Sequence, residues 1–200
     1  MLKVAITGNI ASGKSTIEEF LKAKSFNVLD TDIVSHDLLK SEHVKKQILE
    51  EFKSYDLLEN NEISRPKLGK IIFKDDFLRK KVENILHPLI KNEIGRFFRQ
   101  LENKIQEDAL ADNIAFTSVP LLFEAKFENF FDKIILIYSD DESRLKRLIN
   151  RNNYSLEDAE NRLKSQISQD KKISLADYVI YNNSTVDDLQ TELEKVLKLL

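Results

Sequence analysis

Five short apolar runs, rich in β-branched and aromatic residues, punctuate the chain: Leu2 to Thr7, Phe26 to Leu29, Ile114 to Val119, Ile134 to Tyr138 and Tyr178 to Tyr181. Each reads as a strand. Between them the apolar spacing changes to three and four residues, most clearly near the end, where Leu189, Leu193, Val196, Leu197 and Leu200 share one helical face. Strand and helix therefore alternate, the order that builds a parallel sheet with helices on both faces. The fold class expected is α/β around a five-stranded parallel sheet.

The spacing of the strands is uneven. About eighty residues separate the second from the third, far more than one crossover helix needs, so residues 33–112 are expected to form a helical insert. Val44 to Phe52 and Phe77 to Leu101 carry helical periodicity there, and Leu57 to Pro66 reads as an irregular connection ending at a proline. A second helical excursion, residues 140–169, is rich in Arg and Lys. The remaining segments, 1–32, 113–139 and 170–200, make the expected core of one domain. Such a layout suits a substrate-binding insert and a lid, which a kinase of small molecules needs to keep water from the γ-phosphate.

The chemistry starts at residues 8–15, Gly8-Asn9-Ile10-Ala11-Ser12-Gly13-Lys14-Ser15. They match G-x-x-x-x-G-K-[ST] after a strand and before a helix expected from Ser15 to Lys24. In that context backbone N–H groups from Asn9 to Thr16 cradle phosphates, Lys14 reaches the β- and γ-phosphates, and Ser15 offers its hydroxyl to Mg²⁺. The helix adds the positive end of its dipole. The class becomes that of P-loop kinases of nucleosides and nucleotides.

Bulk composition limits the partners. The 200 residues carry a net charge of −3, with 42% hydrophobic and 32% charged residues. Nothing global draws the chain to nucleic acid or an anionic membrane, so anion sites must come from local clusters of cations. No obligate protein partner is evident. Cysteine is absent and there are three histidines, which excludes disulfides and leaves little for a zinc centre. The first apolar run is too short for a signal peptide or a membrane span. A cytoplasmic location is expected.

Other candidates cluster at the ends of the strands. Asp30 and Asp32 follow the second strand, at the sheet edge where ligands bind. One carboxylate can take the proton of an attacking hydroxyl, with Asp32 the choice, and Asp30 can organise Mg²⁺. Alternatively, either caps a helix beginning near Ile33. Arg144, Arg147 and Arg151 fall on one helix face, either converging on a phosphoryl group or simply solvated. Arg162 and Lys172 continue that basic tract. His87-Pro88 should end or kink a helix, leaving His87 as a pocket residue or a helix-end hydrogen-bonding group. Leu121, Leu122 and Phe123 read as apolar wall, and Glu124 as a residue fixing a loop or a lid arginine.

With these pieces in place, the chain resembles the dephospho-CoA kinase family from end to end. The resemblance rests on Ile6-Thr7-Gly8, Asp30-Thr31-Asp32, Leu86-His87-Pro88, Val119 to Glu124, Arg147 with Arg151, Arg162 with Gln166, Ala176 to Ile180 and Asn182-Asn183. It implies transfer of the ATP γ-phosphate, with Mg²⁺, to the ribose 3′-hydroxyl of dephospho-CoA. It also implies catalytic roles for Lys14, Asp32 and Arg147, with Asp32 as general base. Nucleotide contacts fall to the loop, Arg147, Arg151 and Asn182, substrate contacts to Thr7, Asp32, His87, Leu121 and Glu124, and metal contacts to Ser15 and Asp30. Asn9, Ala11 and Ser184 stand where glycine is usual. A different P-loop kinase would share Lys14 and Ser15 without these other motifs, and a GTPase switch would need D-x-x-G and N-K-x-D, which the chain lacks.

Overall fold

The computed structural model describes residues 1–107, 113–152, 155–164 and 166–200, with backbone alone at 105–107, 151, 152 and 164. The expected insert and lid therefore both include positions outside the described residues. In chain order the elements are β1 (Leu2–Thr7), α1 (Lys14–Ala23), β2 (Asn27–Asp30), α2 (Thr31–Lys40), α3 (Glu42–Glu51), β3 (Leu58–Glu59), β4 (Glu62–Ile63), α4 (Arg65–Ile72) and α5 (Asp76–Glu107). Then come β5 (Ile114–Ser118), a 3₁₀ turn at Glu128–Phe130, β6 (Lys133–Tyr138), α6 (Asp141–Asn152), α7 (Leu156–Lys164), α8 (Gln169–Ile173), β7 (Tyr178–Tyr181) and α9 (Val186–Leu197). They form two compact units, Met1–Asp30 with Phe97–Leu200, and Thr31–Arg96.

The first unit holds a five-stranded sheet in the order β2-β5-β1-β6-β7. All pairings are parallel, with Val4 opposite Phe116 on one side and Lys133 on the other. On one face Val4, Ile6, Phe116, Ile135 and Ile137 pack against Ile17 and Leu21 of α1 and Leu189 and Leu193 of α9. The intervening Ala5, Ala115, Thr117 and Leu136 are buried too, as the covered faces of a parallel sheet require. Each large aliphatic side chain so buried contributes roughly 1.5–3 kcal/mol. A capping box at Thr185 and Asp188 starts α9. Because β1 lies between β5 and β6, its carboxyl end opens at the point where the sheet runs out in both directions, the usual ligand crevice of such folds.

The second unit is helical and encloses Val44, Ile48, Phe52, Leu57, Ile63, Leu68, Val82, Leu86, Ile90 and Ile94. One expectation changes here and another narrows. The stretch expected to be irregular contains a small hairpin of β3 and β4, turned by Asn60 and Asn61 at φ 51° and 65°, a conformation Asn tolerates. Pro88 does not end its helix, since α5 runs on to Glu107. Leu86, Ile90 and Ile94 are buried at four-residue spacing, and that continuous stripe outweighs the single N–H that proline removes. Among the described residues no helix is long and apolar enough to cross a membrane.

Two glycines test this description. Gly13 has φ 100°, and a Cβ there would lie 2.1 Å from Asn182 Nδ2, whereas at Gly69, inside α4, it would meet only Phe73 ring atoms at 3.6 and 3.7 Å. Gly13→Ala is expected to destabilise the protein by at least ~2 kcal/mol, and Gly69→Ala to stabilise it by about 0.5–1 kcal/mol. Thermal melting of both variants checks this; an unchanged Tm for Gly13→Ala contradicts the loop conformation.

Candidate active site

Residues 8–13 carry the chain from the carboxyl end of β1 into α1. Gly13 is the N-cap, and no side chain caps the helix. The Thr16 N–H already donates to the Gly13 carbonyl at 3.1 Å, so what this terminus presents to an anion is its positive dipole end and the N–H groups that precede Thr16. Gly8 is needed for close approach, since a Cβ would sit 2.6 Å from the Ile137 carbonyl oxygen. Of the two loop positions where glycine is usual, Ala11 carries the left-handed backbone, at φ 62°, which costs an L-residue about 1–2 kcal/mol. Asn9 is instead held by its side chain, whose Nδ2 donates to the Ile167 carbonyl at 2.9 Å.

Residues far away in sequence hold the loop. Asn182, following β7, donates from Nδ2 to the Ser12 carbonyl at 2.7 Å. Arg147 of α6 donates from NH1 to the Ala11 carbonyl at 3.2 Å and to Ser139 Oγ at 3.1 Å, and from NH2 to the Asn182 carbonyl at 2.9 Å. The Ile10 N–H donates to Gln166 Oε1 at 2.8 Å. A trans peptide sets its N–H opposite its carbonyl, so capture of the Ser12 oxygen by Asn182 turns the Gly13 N–H to the other side.

Lys14 Nζ donates to Glu18 Oε1 at 3.0 Å and to Ser118 Oγ at 2.8 Å. Ser118 ends β5 opposite Asp30 of β2, which puts the Asp30 backbone at the same sheet edge. Thr7 is buried at the end of β1, Ser15 is exposed and Thr16 half-buried in the first turn of α1. Ser118, Glu18 and Gln166 were not singled out as site residues from the sequence, although the four-residue spacing of Lys14 and Glu18 is the spacing of paired helical side chains.

Beyond β5 the three apolar residues divide. Leu121 is 38% exposed, while Leu122 and Phe123 are core, which corrects the expectation of a common wall. Glu124 pairs with Lys172 of α8 at 2.8 Å and accepts from the Ile167 N–H at 3.2 Å. Lys172 is fully buried. Burial pushes its ammonium below the ordinary lysine value, against the pull of Glu124 and helped by nearby Arg144. The arginines also divide. Arg144 is buried and bonded to Asp141, whereas Arg147 turns to the loop, and the Arg151 side chain lies outside the described residues.

In the helical unit α2 opens at Thr31, two residues before the expected Ile33, so Asp32 is an exposed residue of its first turn, and Asp30 takes the position before the helix. His87 lies half-buried within α5. Burial is the main force holding its imidazole below 6.5; Glu83 opposes it and Lys91 adds to it.

The profile of the dephospho-CoA kinase family matches residues 2–188. The dephospho-CoA kinase of Oceanobacillus iheyensis is 37% identical over 98% of this chain and 96% of its own length. That of Arabidopsis thaliana is 38% identical over 97% of this chain and 82% of its own. The solved dephospho-CoA kinase of Campylobacter jejuni superposes with a TM-score of 0.69 at 33% identity, covering 98% of this chain and 95% of that one.

The state of His87 gives a pH test. Its folded value lies below its unfolded one, so the unfolded chain binds protons more readily, and stability present above about pH 6.5 is lost as pH falls through that range. His87→Gln should flatten the fall in Tm between about pH 7.5 and 5.5. Parallel curves for variant and wild type would contradict the burial of the imidazole.

Proposed function

Because the chain belongs to the dephospho-CoA kinase family, we propose that it transfers the γ-phosphate of ATP to the ribose 3′-hydroxyl of dephospho-CoA, giving coenzyme A and ADP. The observation that carries this reading is the phosphate loop, whose uncapped helix terminus is open to an anion and whose carbonyls are gripped by Asn182 and Arg147. Phosphoryl transfer asks little covalent chemistry of a protein and much positioning and charge. The 3′-oxygen attacks the γ-phosphorus, the bond to the β,γ-bridging oxygen breaks, and ADP leaves. Asp32 takes the proton of the hydroxyl. Lys14 balances charge on the β- and γ-phosphates, and Arg147 and Arg151 bring positive charge from the lid.

Thr7, His87, Leu121 and Glu124 are assigned to the acceptor side, Glu124 through the loop it fixes, and Asn182 to the nucleotide side. For Mg²⁺ the donor set is suitable. Ser15 and Asp30 offer the hard oxygen donors that Mg²⁺ takes, and they are the residues that would hold it. Held there, Mg²⁺ would supply positive charge against the phosphates. The cytoplasm is the proposed setting, with the two small molecules as the only partners invoked.

The test is incubation of the purified protein with ATP, Mg²⁺ and, separately, dephospho-CoA, nucleosides and nucleotides. Phosphate should appear on dephospho-CoA alone; preferential transfer to a nucleoside or nucleotide would overturn the reading. Lys14→Ala should fold and lose turnover, because its charge acts in a site from which water is excluded. Asp32→Asn should keep roughly wild-type affinity for both substrates and Tm while transferring phosphate at least about a hundredfold more slowly. A lowered Tm with an unchanged rate would make Asp32 a helix-terminus residue only.

A further inference from the structure

The phosphate-binding lysine already has an anion. Glu18 lies one helical turn beyond Lys14, with side-chain exposures of 6% and 14%. Its Oε1 accepts from Lys14 Nζ at 3.0 Å and from Ser118 Oγ at 2.5 Å, and Ser118 Oγ itself accepts from Lys14 at 2.8 Å. Exposed pairs at this spacing contribute little and are screened by salt. This one is largely out of water, where an ion pair is strong and parting its members is costly. Two of the three ammonium donors are therefore spent inside the protein, and the charge that the loop offers an incoming phosphate is already compensated.

We propose that Glu18 parks Lys14, so that the β- and γ-phosphates must displace a buried carboxylate before the lysine can serve them. This rests on the phosphate-loop reading given above. Glu18 is then a positioning residue acting through Lys14. When Lys14 swings to the phosphates, Glu18 keeps Ser118 but loses its counter-charge; when Lys14 stays, the phosphates meet a neutral pair. Either way the opposition falls on the β- and γ-phosphates. Adenosine and the α-phosphate feel none of it. Parking thus sets affinity for the triphosphate without setting affinity for the nucleoside.

Glu18→Gln keeps the size and the acceptor for Ser118 and Lys14 while removing the charge. Binding of ATP and of AMP is measured by calorimetry on wild type, Glu18→Gln, the smaller charge-free Glu18→Ser, and Lys14→Ala, each checked for a cooperative melt. Both Glu18 variants should bind ATP at least about tenfold more tightly, the low end of what coupling to a close charge is worth, with AMP unchanged. Unchanged or weaker ATP binding in the Glu18 variants, or equal tightening of ATP and AMP, overturns the parking role. If instead wild type binds ATP no better than AMP and Lys14→Ala changes neither, the phosphate-loop reading itself has failed. A weakened ATP affinity in Lys14→Ala beside an unaltered one in both Glu18 variants removes parking alone.

Discussion

Every peptide in a phosphate loop has an N–H on one side and a carbonyl on the other, and a cradle of donors exists only if the carbonyls are held away from it. Here that restraint comes from Asn182 on the Ser12 oxygen and Arg147 on the Ala11 oxygen. Both anchors lie far beyond the loop in sequence, after β7 and in α6. The strand order is what brings them in: β6 and β7 follow β1 across the sheet, so Ser139 and Asn182 emerge beside the end of β1. The motif at residues 8–15 supplies flexible backbone and a lysine, and the second half of the chain gives that backbone its shape.

The same anchors join the loop to the excursion between β6 and β7. Arg147 grips the loop from the start of that excursion, and Gln166 and Ile167 bond to Ile10 and Asn9 from its end. Ile167 is in turn held by Glu124, which is paired with the buried Lys172. Burying a lysine is costly unless a counter-charge is close, and Glu124 is that counter-charge. Hydrogen bonds thus tie α6 and the residues leading into α8 directly to the phosphate loop.

Much of this could be read from the chain. The five strands, the phosphate loop and the closing helix rest on local patterns, apolar runs, glycine spacing and i,i+4 periodicity, which tertiary context reinforced. The hairpin at Leu58 to Ile63 was missed because its strands are two residues each, too short for a period to show, and its turn uses Asn in place of Gly. Pro88 left open whether the helix stops or bends, because a local rule about one hydrogen bond competes with a buried stripe that only the folded helix reveals. Arg144 and Arg147 look equivalent on a helical wheel, yet one is buried and paired with the exposed Asp141 and the other holds Ala11. Helical periodicity gives direction around the axis, but it does not say what waits there. The bond between Asn182 and Ser12 spans 170 positions, and no local pattern encodes it.

That Asn182 shapes the phosphate loop is tested most directly by the binding of inorganic triphosphate, which carries the phosphates without adenine, to Asn182→Ala. The substitution deletes the bond to the Ser12 carbonyl and leaves the backbone carbonyl of residue 182 for Arg147. Loss of a buried hydrogen bond on that oxygen, worth about 1–3 kcal/mol, predicts triphosphate binding weakened by about tenfold or more in a protein that still melts cooperatively. Triphosphate affinity equal to wild type, with only adenosine-containing ligands weakened, would contradict it and leave Asn182 as a contact to the base.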